Sequence, residues 1–351
     1  MSSSTQQKQA EAEALGLTPG HVIDGQFIIE HLLGAGGQGM VFKVRHLEWN
    51  QDFALKVPLP ASVETKEARD RVVKEAETWI RMGVHPNIVR CWFVRPVQGL
   101  PGLFLDLIEG GSLEDKLESQ VLRPGHWESI IFTLLQIAEG LTHSHSKGVV
   151  HRDLKPENLL MRESGQVCIT DFGLVKTLSE AEMLDPTGEP LPENSSISDG
   201  PMGTPRYGAP EQWMDPDSIS PATDIYSLGT LMFEMITGQR PFEPPGTQIG
   251  SMALINKHIA EHPPDPLSIR ADIPDPLVKL CLQCMSKEPE NRPPSAMVLL
   301  EELNYILQTT VHKSYGRPAP IPAGERPSLL NNAAVSLYSL GKPQKARELL
   351  L

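Results

Sequence analysis

The sequence lacks an apolar run long enough to cross a bilayer. A spanning helix needs about 20 consecutive apolar residues, and the best run, residues 130–138, is interrupted by Thr133 and Gln136. The first sixteen residues have neither an apolar core nor a basic lead, which argues against a secretory signal or transit peptide. Position 2 is Ser2 instead of the glycine that N-myristoylation requires. We therefore expect no membrane span and a cytoplasmic protein.

Cysteine is also scarce, with four residues in 351. So few cysteines cannot build a disulfide framework, and this favours a reducing compartment. Cys281 and Cys284 form a CxxC pair, but no second pair completes a zinc site. We expect them to be ordinary buried thiols on one face of a helix.

Positive charge is deficient, since the formal net charge is −13. Residues 21–105 are about neutral, whereas residues 106–351 hold 20 Lys and Arg against 33 Asp and Glu. A groove built from the second region would repel nucleic acid and favour a basic or neutral peptide. The sequence therefore predicts no nucleic-acid partner.

Proline is the residue type in excess, with 32 in the chain, nearly twice the usual ~5%. Most prolines lie in residues 181–221, 241–294 and 318–343. Because proline fixes φ and removes a backbone donor, these stretches are expected to be stiff and mostly non-helical.

Hydrophobic periodicity divides the chain into a β-rich part and a helical part. Short stretches rich in β-branched and aromatic residues predict strands at 27–33, 40–46, 52–57, 88–94 and 103–107. An amphipathic helix is predicted at 66–82. Beyond Gly110-Gly111, apolar residues at helical spacing predict helices at 127–146, 222–237, 276–286 and 295–307.

A glycine-rich segment, residues 34–39, lies between the first two predicted strands. The dinucleotide-binding version of this motif leads from a strand into a helix, so the context disfavours NAD. It favours a flap whose backbone amides approach phosphates. Seventeen residues later, Lys56 lies within an apolar strand, where an ammonium group needs a partner. Glu75 and Glu77 on the predicted helix are the two candidates.

The most informative segments are His151-Arg152-Asp153-Leu154-Lys155-Pro156-Glu157-Asn158 and Asp171-Phe172-Gly173. With them, the chain resembles the eukaryotic-type serine/threonine protein kinases, in particular bacterial members, over about residues 21–310. Further matching segments are Ala209-Pro210-Glu211, Asp224-Ile225-Tyr226-Ser227-Leu228-Gly229 and Asn291-Arg292-Pro293. The resemblance implies an α+β, two-lobed protein kinase fold, with a small five-stranded β lobe containing one helix and a larger, mainly helical lobe.

The domain boundaries follow from this resemblance and from composition. They are an N-terminal extension (1–20), a kinase domain (21–311), a linker (312–327) and a C-terminal helical segment (328–351). The kinase domain divides into a small lobe (21–105), a hinge (106–112) and a large lobe (113–311).

The resemblance also assigns catalytic roles. It implies that Asp153 is the catalytic base, that Lys155 meets the γ-phosphate, and that Thr204 bonds both of them. Lys56 would hold the α- and β-phosphates of ATP while paired with Glu75, which we prefer to Glu77 by counting back from the His85-Pro86-Asn87 motif.

Metal and nucleotide binding are implied in the same way. Asn158 and Asp171 would bind Mg²⁺, with Mn²⁺ as the alternative, because both offer hard oxygen ligands. Gly34, Gly36 and Gly39 would approach the phosphates. The residues implied for the adenine are Leu33, Val41, Ala54 and Leu160, with Asp106 and Ile108 supplying backbone hydrogen bonds.

Substrate class and regulation are further expectations. Lys155, Thr204 and a Glu211–Arg292 ion pair resemble the pattern of kinases that phosphorylate serine and threonine in proteins. Ser196 and Ser198 are the expected autophosphorylation positions, because Arg152 beside the base would pair with a phosphoserine. The rival interpretation is a pseudokinase or scaffold that binds partners through its C-terminal helices. The retained Lys56, Asp153, Asn158 and Asp171 argue against it.

The C-terminal segment has the small and large residue spacing of a tetratricopeptide repeat around Gly341-Lys342-Pro343. It stops near position 25 of a 34-residue unit, and at least three units are normally needed for stability. The interpretation we favour is a piece of a longer repeat protein that binds a protein partner, and the alternative is a helical hairpin docked on the kinase domain.

Overall fold

The computed structural model describes residues 12–13, 15–36, 39–172, 204–247, 249–317 and 326–350. The chain divides into two compact units. The small unit comprises Met1–His85, Val89–Ile108 and Pro320–Leu351, and the large unit comprises Pro86–Ile88 and Glu109–Ala319. None of the described helices has the length and hydropathy of a membrane span.

The small unit is built on an antiparallel sheet of six strands in the order β1-β2-β3-β4-β6-β5. The strands are β1 (Val22–Ile23), β2 (Phe27–Gly36), β3 (Gly39–His46), β4 (Gln51–Val57), β5 (Cys91–Val97) and β6 (Leu100–Asp106). The five expected strands are present, although β5 and β6 begin three residues away from the predicted positions. The sixth, β1, has two residues and is too short to leave a periodic signal in the sequence.

One face of this sheet is covered by aromatic side chains. The rings of Phe27 and Phe104 lie 4.5 Å apart, and Phe93 lies 4.8 Å from Phe104. Ala12 and Leu17 pack into the same core. The segment expected to be an extension (1–20) therefore contributes buried apolar side chains to the small unit.

The helix of the small unit, α1 (Lys66–Met82), begins and ends at residues suited to these positions. The side chain of Thr65 accepts a hydrogen bond from the Ala68 amide at 3.1 Å, which satisfies a free donor of the first turn. Gly83 ends the helix with φ of 68°, a conformation that glycine adopts without a steric penalty.

The large unit is mainly helical. Its elements are α2 (Leu113–Glu118), α3 (Trp127–Ser146), β7 (Leu159–Met161), β8 (Val167–Ile169), α4 (Glu211–Met214), α5 (Pro221–Thr237), α6 (Ser251–Ala260), α7 (Pro266–Ile269), α8 (Asp275–Cys284) and α9 (Ala296–Val311). Helix α5 is buried along nearly its whole length and forms the centre of the unit. Ser295 caps α9, as its position in the sequence predicts.

Cys281 and Cys284 are free, buried thiols on α8. Burial raises the pKa of both thiols, because a thiolate would lose its hydration there. The expectation of ordinary buried thiols on one helix face is confirmed.

The C-terminal segment forms two helices, α10 (Arg326–Ser339) and α11 (Pro343–Leu350), which pack on each other within the small unit. Helix α10 also packs against α1 and β5. We call them the C-terminal hairpin. The linker residues before them, through Arg317, pack on the large unit, where Arg317 forms two hydrogen bonds to the buried Glu139 carboxylate. The identification of the hairpin as a tetratricopeptide repeat stays a prediction.

Candidate active site

Four of the predicted catalytic and metal-binding side chains meet at the loop after α3 of the large unit. Three belong to the loop, and Thr204 comes from later in the chain. The Lys155 ammonium lies 3.2 Å from Asp153 Oδ2 and donates to Thr204 Oγ1 at 2.8 Å. The Thr204 amide donates to Asp153 Oδ1 at 3.2 Å, and Asn158 Nδ2 donates to the Asp153 carbonyl at 2.9 Å. The loop therefore fixes a carboxylate beside an ammonium group, which together can orient a hydroxyl and neutralise negative charge.

Asp224 on α5 fixes the backbone of this loop through hydrogen bonds. Its carboxylate accepts hydrogen bonds from the His151 and Arg152 amides, each at 2.8 Å, and contacts His145 Nε2 at 2.7 Å. Burial alone would raise the pKa of Asp224, but His145 and the His151 amide favour the charged form and hold its pKa below the usual value. A buried anion thus fixes the backbone that carries Asp153.

Asp224 was not among the site residues predicted from the sequence, although it fixes the catalytic loop. The sequence does contain a signal for it, because it opens the Asp224–Gly229 segment that supports the family resemblance. Its function is visible only in three dimensions, because it lies more than 70 residues after the loop that it holds.

The histidines near the loop are used in hydrogen bonds. His151 Nδ1 accepts from the Asp153 amide at 3.2 Å, and its Nε2 contacts the Thr170 carbonyl at 2.8 Å. A carbonyl can only accept, so this network assigns the ring proton to Nε2. His151 therefore supports the loop through both of its ring nitrogens.

Two backbone conformations near the site are uncommon for residues with a side chain. Arg152 has φ of 68° and Asp171 has φ of 55°. Such conformations cost free energy and are retained where the surroundings enforce them, often at functional sites. At Arg152, the Asp224 hydrogen bond to its amide is one such constraint.

The side chain of Asn158 suits a metal ligand. Among the described residues, its side-chain hydrogen bonds go to the Asp153 carbonyl and carboxylate, and both use the amide nitrogen. This leaves the amide oxygen as the atom to bind a hard cation. With the Asp171 carboxylate, the large unit offers the small set of oxygen ligands that Mg²⁺ takes alongside phosphates. The residues present therefore fit a divalent cation.

In the small unit, Lys56 pairs with Glu75. Lys56 Nζ donates to Glu75 Oε1 at 2.8 Å, and both side chains are buried. Glu77 pairs instead with Lys345, at 2.9 Å. Glu75, the preferred partner, thus contacts Lys56, whereas Glu77, the alternative, contacts Lys345.

The described glycines of the glycine-rich segment lie at the end of β2 and the start of β3, and Gly37 and Gln38 lie outside the described residues. Gly39 has φ of 139°, and a Cβ there would lie 2.5 Å from the Val57 carbonyl oxygen, so only glycine fits. A Cβ on Gly34 or Gly36 would meet nothing within 4 Å among the described residues. The backbone at these two glycines is therefore open to approach.

The residues expected to bind the adenine lie in both units. Leu33, Val41 and Ala54 lie on β2, β3 and β4. Asp106 ends β6, and its side chain accepts a hydrogen bond from Trp92 Nε1 at 2.7 Å. Ile108 ends the segment Val89–Ile108 of the small unit. The remaining residue, Leu160, lies on β7 of the large unit.

The predicted ion pair between Glu211 and Arg292 is present and buried. Arg292 donates two parallel hydrogen bonds to the Glu211 carboxylate, at 2.7 and 2.9 Å, and further ones to the Ser286 and Lys287 carbonyls. Burial would raise the pKa of Glu211, but the Arg292 guanidinium holds it below its usual value. Ser196 and Ser198, the expected phosphorylation positions, lie outside the described residues.

Comparison with known sequences shows where this chain has relatives. Residues 27–303 match the family model of the protein kinase domain. A probable serine/threonine-protein kinase of Clostridium perfringens is 29% identical over 287 residues, which are 82% of this chain and 39% of that protein.

Two further relatives are similar to the same extent. The DNA damage-responsive serine/threonine-protein kinase RqkA of Deinococcus radiodurans is 30% identical over 81% of this chain and 40% of its own length. Serine/threonine-protein kinase PknB of Mycobacterium tuberculosis is 28% identical over 91% of this chain and 48% of its own length. The chain spans less than half the length of these relatives.

Among solved structures, the Mycobacterium tuberculosis PknI kinase domain has a similar fold. Its TM-score is 0.61 at 20% sequence identity, and the match covers 82% of this chain and 99% of that one. The described β-sheet unit and helical unit are thus those of the protein kinase fold.

Proposed function

Since the chain belongs to the protein kinase family, we propose that it transfers the γ-phosphate of ATP to serine and threonine side chains of proteins. The observation that carries this proposal is the hydrogen-bonded cluster of Asp153, Lys155 and Thr204 in the large unit. Phosphoryl transfer has a loose transition state, so an enzyme acts mainly by positioning groups and neutralising charge. The cluster has the side chains for both tasks.

Asp153 orients the substrate hydroxyl and accepts its proton. Its carboxylate is already fixed by the Thr204 amide and the Lys155 ammonium, so little reorganisation is needed when the hydroxyl binds. Lys155 neutralises charge that moves onto the transferred phosphoryl group. Thr204 is hydrogen-bonded to both side chains and so fixes their relative positions.

Lys56 binds the α- and β-phosphates of the nucleotide in this proposal. Its ion pair with Glu75 supports this role, because the carboxylate fixes the ammonium group and stabilises its charge in a buried position. The open backbone at Gly34 and Gly36 supports an approach of phosphate oxygens to this end of β2.

Asn158 and Asp171 would hold the divalent cation, which we propose to be Mg²⁺, with Mn²⁺ as a substitute. The bound ion would supply positive charge that offsets the negative charge of the phosphates. The hydrogen bond from Asn158 to the Asp153 carbonyl ties the expected metal ligand to the loop of the base. A shift of either residue would therefore disturb the other.

We assign protein substrates on the basis of the Glu211–Arg292 pair, which fixes α4 against the end of α8 and so supports a rigid platform near the catalytic loop. The excess of acidic residues in 106–351 favours basic or neutral peptides. The low number of cysteines, all of them free among the described residues, supports the cytoplasm as the compartment.

Autophosphorylation at Ser196 or Ser198 is the regulation we propose. Arg152 supports it: among the described residues, its buried Nε has no hydrogen-bond partner, and it directly precedes Asp153. A phosphoserine would supply acceptor oxygens for this guanidinium group.

The deciding experiment measures transfer of labelled phosphate from ATP to a generic basic protein and to the chain itself. We expect Asp153→Asn to lower the rate by about 10²–10⁴-fold, as for loss of a general base, and Lys56→Ala to abolish most transfer. Glu163→Gln, which alters an exposed carboxylate between β7 and β8, is the matched control and should retain full activity. Mass spectrometry of the same incubations should find phosphate on Ser196 or Ser198 in the wild type and in Glu163→Gln, but not in Asp153→Asn.

A wild-type rate no higher than that of Asp153→Asn, with either Mg²⁺ or Mn²⁺ present, would favour the pseudokinase or scaffold interpretation.

A further inference from the structure

The C-terminal hairpin covers the open edge of the small-unit sheet. Strand β5 lies at this edge, so one row of its backbone groups has no neighbouring strand in the described sheet. The Val94 amide of β5 donates to Ser336 Oγ of α10 at 2.9 Å, and Ser336 itself donates to the Asn332 carbonyl. A buried serine of the hairpin thus satisfies an edge-strand donor.

The hairpin also packs on α1. Ala334, Leu337 and Ala346 form a buried apolar cluster, and Ile80 of α1 packs against it. A cavity of about 40 Å³ lies between this part of α1, β5 and α10. At the rim, Glu77 of α1 pairs with Lys345 at 2.9 Å.

The hairpin contacts the face of α1 opposite the one that carries Glu75. Two residues along an α-helix turn it by about 200°, so Glu75 and Glu77 point to opposite sides of α1. On one side Glu75 bonds Lys56, and on the other Glu77 and Ile80 meet the hairpin. Helix α1 is therefore held from both sides.

We propose that the C-terminal hairpin is a positioning element for α1, and that its docked state keeps Glu75 in contact with Lys56. Leu337 and Ser336 are the positioning residues. They do not touch the nucleotide; they act through α1 and β5. Docking raises the activity of the kinase, and release of the hairpin lowers it. This inference rests on the proposed function only for the effect on phosphate transfer, not for the effect on α1.

The first test is hydrogen exchange of the α1 amides in the full chain. Leu337→Asp places a charge in the buried cluster, whereas Leu330→Asp makes the same change on the exposed side of α10. We expect Leu337→Asp to speed α1 exchange about tenfold through local opening. Leu330→Asp should leave it within about twofold, and α5 exchange in the large unit should stay unchanged in both variants.

Should Leu337→Asp fail to fold, Ser336→Ala replaces it. This change removes the acceptor of the Val94 amide, and we expect α1 exchange to rise about threefold, as for loss of one hydrogen bond. Equal α1 exchange in Leu337→Asp or Ser336→Ala and in Leu330→Asp would overturn the proposal.

The second test measures steady-state kinetics with ATP and a peptide. Because Lys56 is proposed to bind ATP, the freed hairpin should lower kcat/KM for ATP about tenfold in Leu337→Asp, and leave the KM for peptide within about twofold. Unchanged kcat/KM for ATP despite faster α1 exchange would overturn the effect on transfer. A wild type without transfer, in which α1 exchange still responds, would remove the proposed function and leave the positioning role standing.

Discussion

The large unit fixes its functional loop with buried charges, whereas the small unit pairs Lys56 with Glu75 on a helix that the hairpin covers. Asp224 and the Glu211–Arg292 pair lie in the interior of the large unit. In the small unit, Lys56–Glu75 is buried, but the Glu77–Lys345 contact behind it is partly exposed to solvent. The contacts that fix the functional side chains are thus buried throughout in the large unit, and partly exposed to solvent behind α1 in the small unit.

This difference has a physical consequence. Breaking a buried ion pair leaves an uncompensated charge without water, so Asp224 and the Glu211–Arg292 pair hold the large unit firmly, and Lys56–Glu75 is costly to break while α1 is docked. A seam of small apolar side chains with charges at its rim can separate at a lower cost. We infer that the large unit provides the fixed part of the machinery, and that α1 is the part that can be adjusted.

The largest effect is expected for Arg292→Ala. The change leaves the buried Glu211 carboxylate without its partner, and we expect it to lower the free energy of unfolding by about 3–5 kcal/mol. Arg206→Ala is the matched control, since Arg206 makes a similar pair of hydrogen bonds to Glu243 but is nearly half exposed. The control should lose less than about 1 kcal/mol.

Urea unfolding of the two variants checks this expectation. Similar losses in Arg292→Ala and Arg206→Ala would mean that burial does not distinguish the two pairs, and the comparison between fixed and adjustable anchors would fail.

A smaller effect is expected for Asp224→Asn. The asparagine keeps an acceptor oxygen but loses the charge that binds His145 and two amides, and we expect a loss of about 2 kcal/mol at pH 7. The pKa of Asp224 is lower in the folded chain than its usual 3.8. Its stabilising contribution is therefore complete above pH 3.8 and disappears as the pH falls through the folded pKa.

The measurement is the difference in unfolding free energy between wild type and Asp224→Asn as a function of pH. The difference should be constant near neutrality and shrink below pH 3.8. Asp272→Asn, which changes a well-exposed carboxylate paired with Arg270, should show no detectable loss near neutrality. A difference that grows as the pH falls would contradict the charged role of Asp224.

The large unit was the more predictable part from sequence. The loop carrying Asp153, Lys155 and Asn158 is one continuous motif, so its residues are adjacent in sequence as well as in space. Thr204 and Arg292 were predicted through short motifs that the resemblance supplies. The sequence did not predict that Asp224 binds the catalytic loop. Any residue except proline can donate a backbone amide, so the identities of the donors, His151 and Arg152, do not reveal these hydrogen bonds.

In the small unit, sequence spacing left Glu75 and Glu77 as alternatives because both lie on one helix two residues apart. Only the opposite directions of their side chains separate them. The pattern of Ala334 and Leu337 predicted a helical hairpin but not the surface it covers. Its contacts join positions more than 240 residues apart, such as Val94 and Ser336, and no local pattern encodes such a pair.

The smallest effect is expected at the rim of the hairpin, for Lys345→Ala. Lys345 is more than half exposed, and exposed ion pairs contribute little. We expect the free energy of unfolding to fall by less than about 1 kcal/mol, and the loss to vanish in 1 M salt, where the screening length is about 3 Å. Lys257→Ala, which breaks the Lys257–Glu261 pair of the large unit, is the control and should behave in the same way. A loss of more than about 2 kcal/mol that persists in high salt would mean that the hairpin is held by its charges rather than by the apolar seam around Leu337. Helix α1 would then be as firmly anchored as the loop that Asp224 holds.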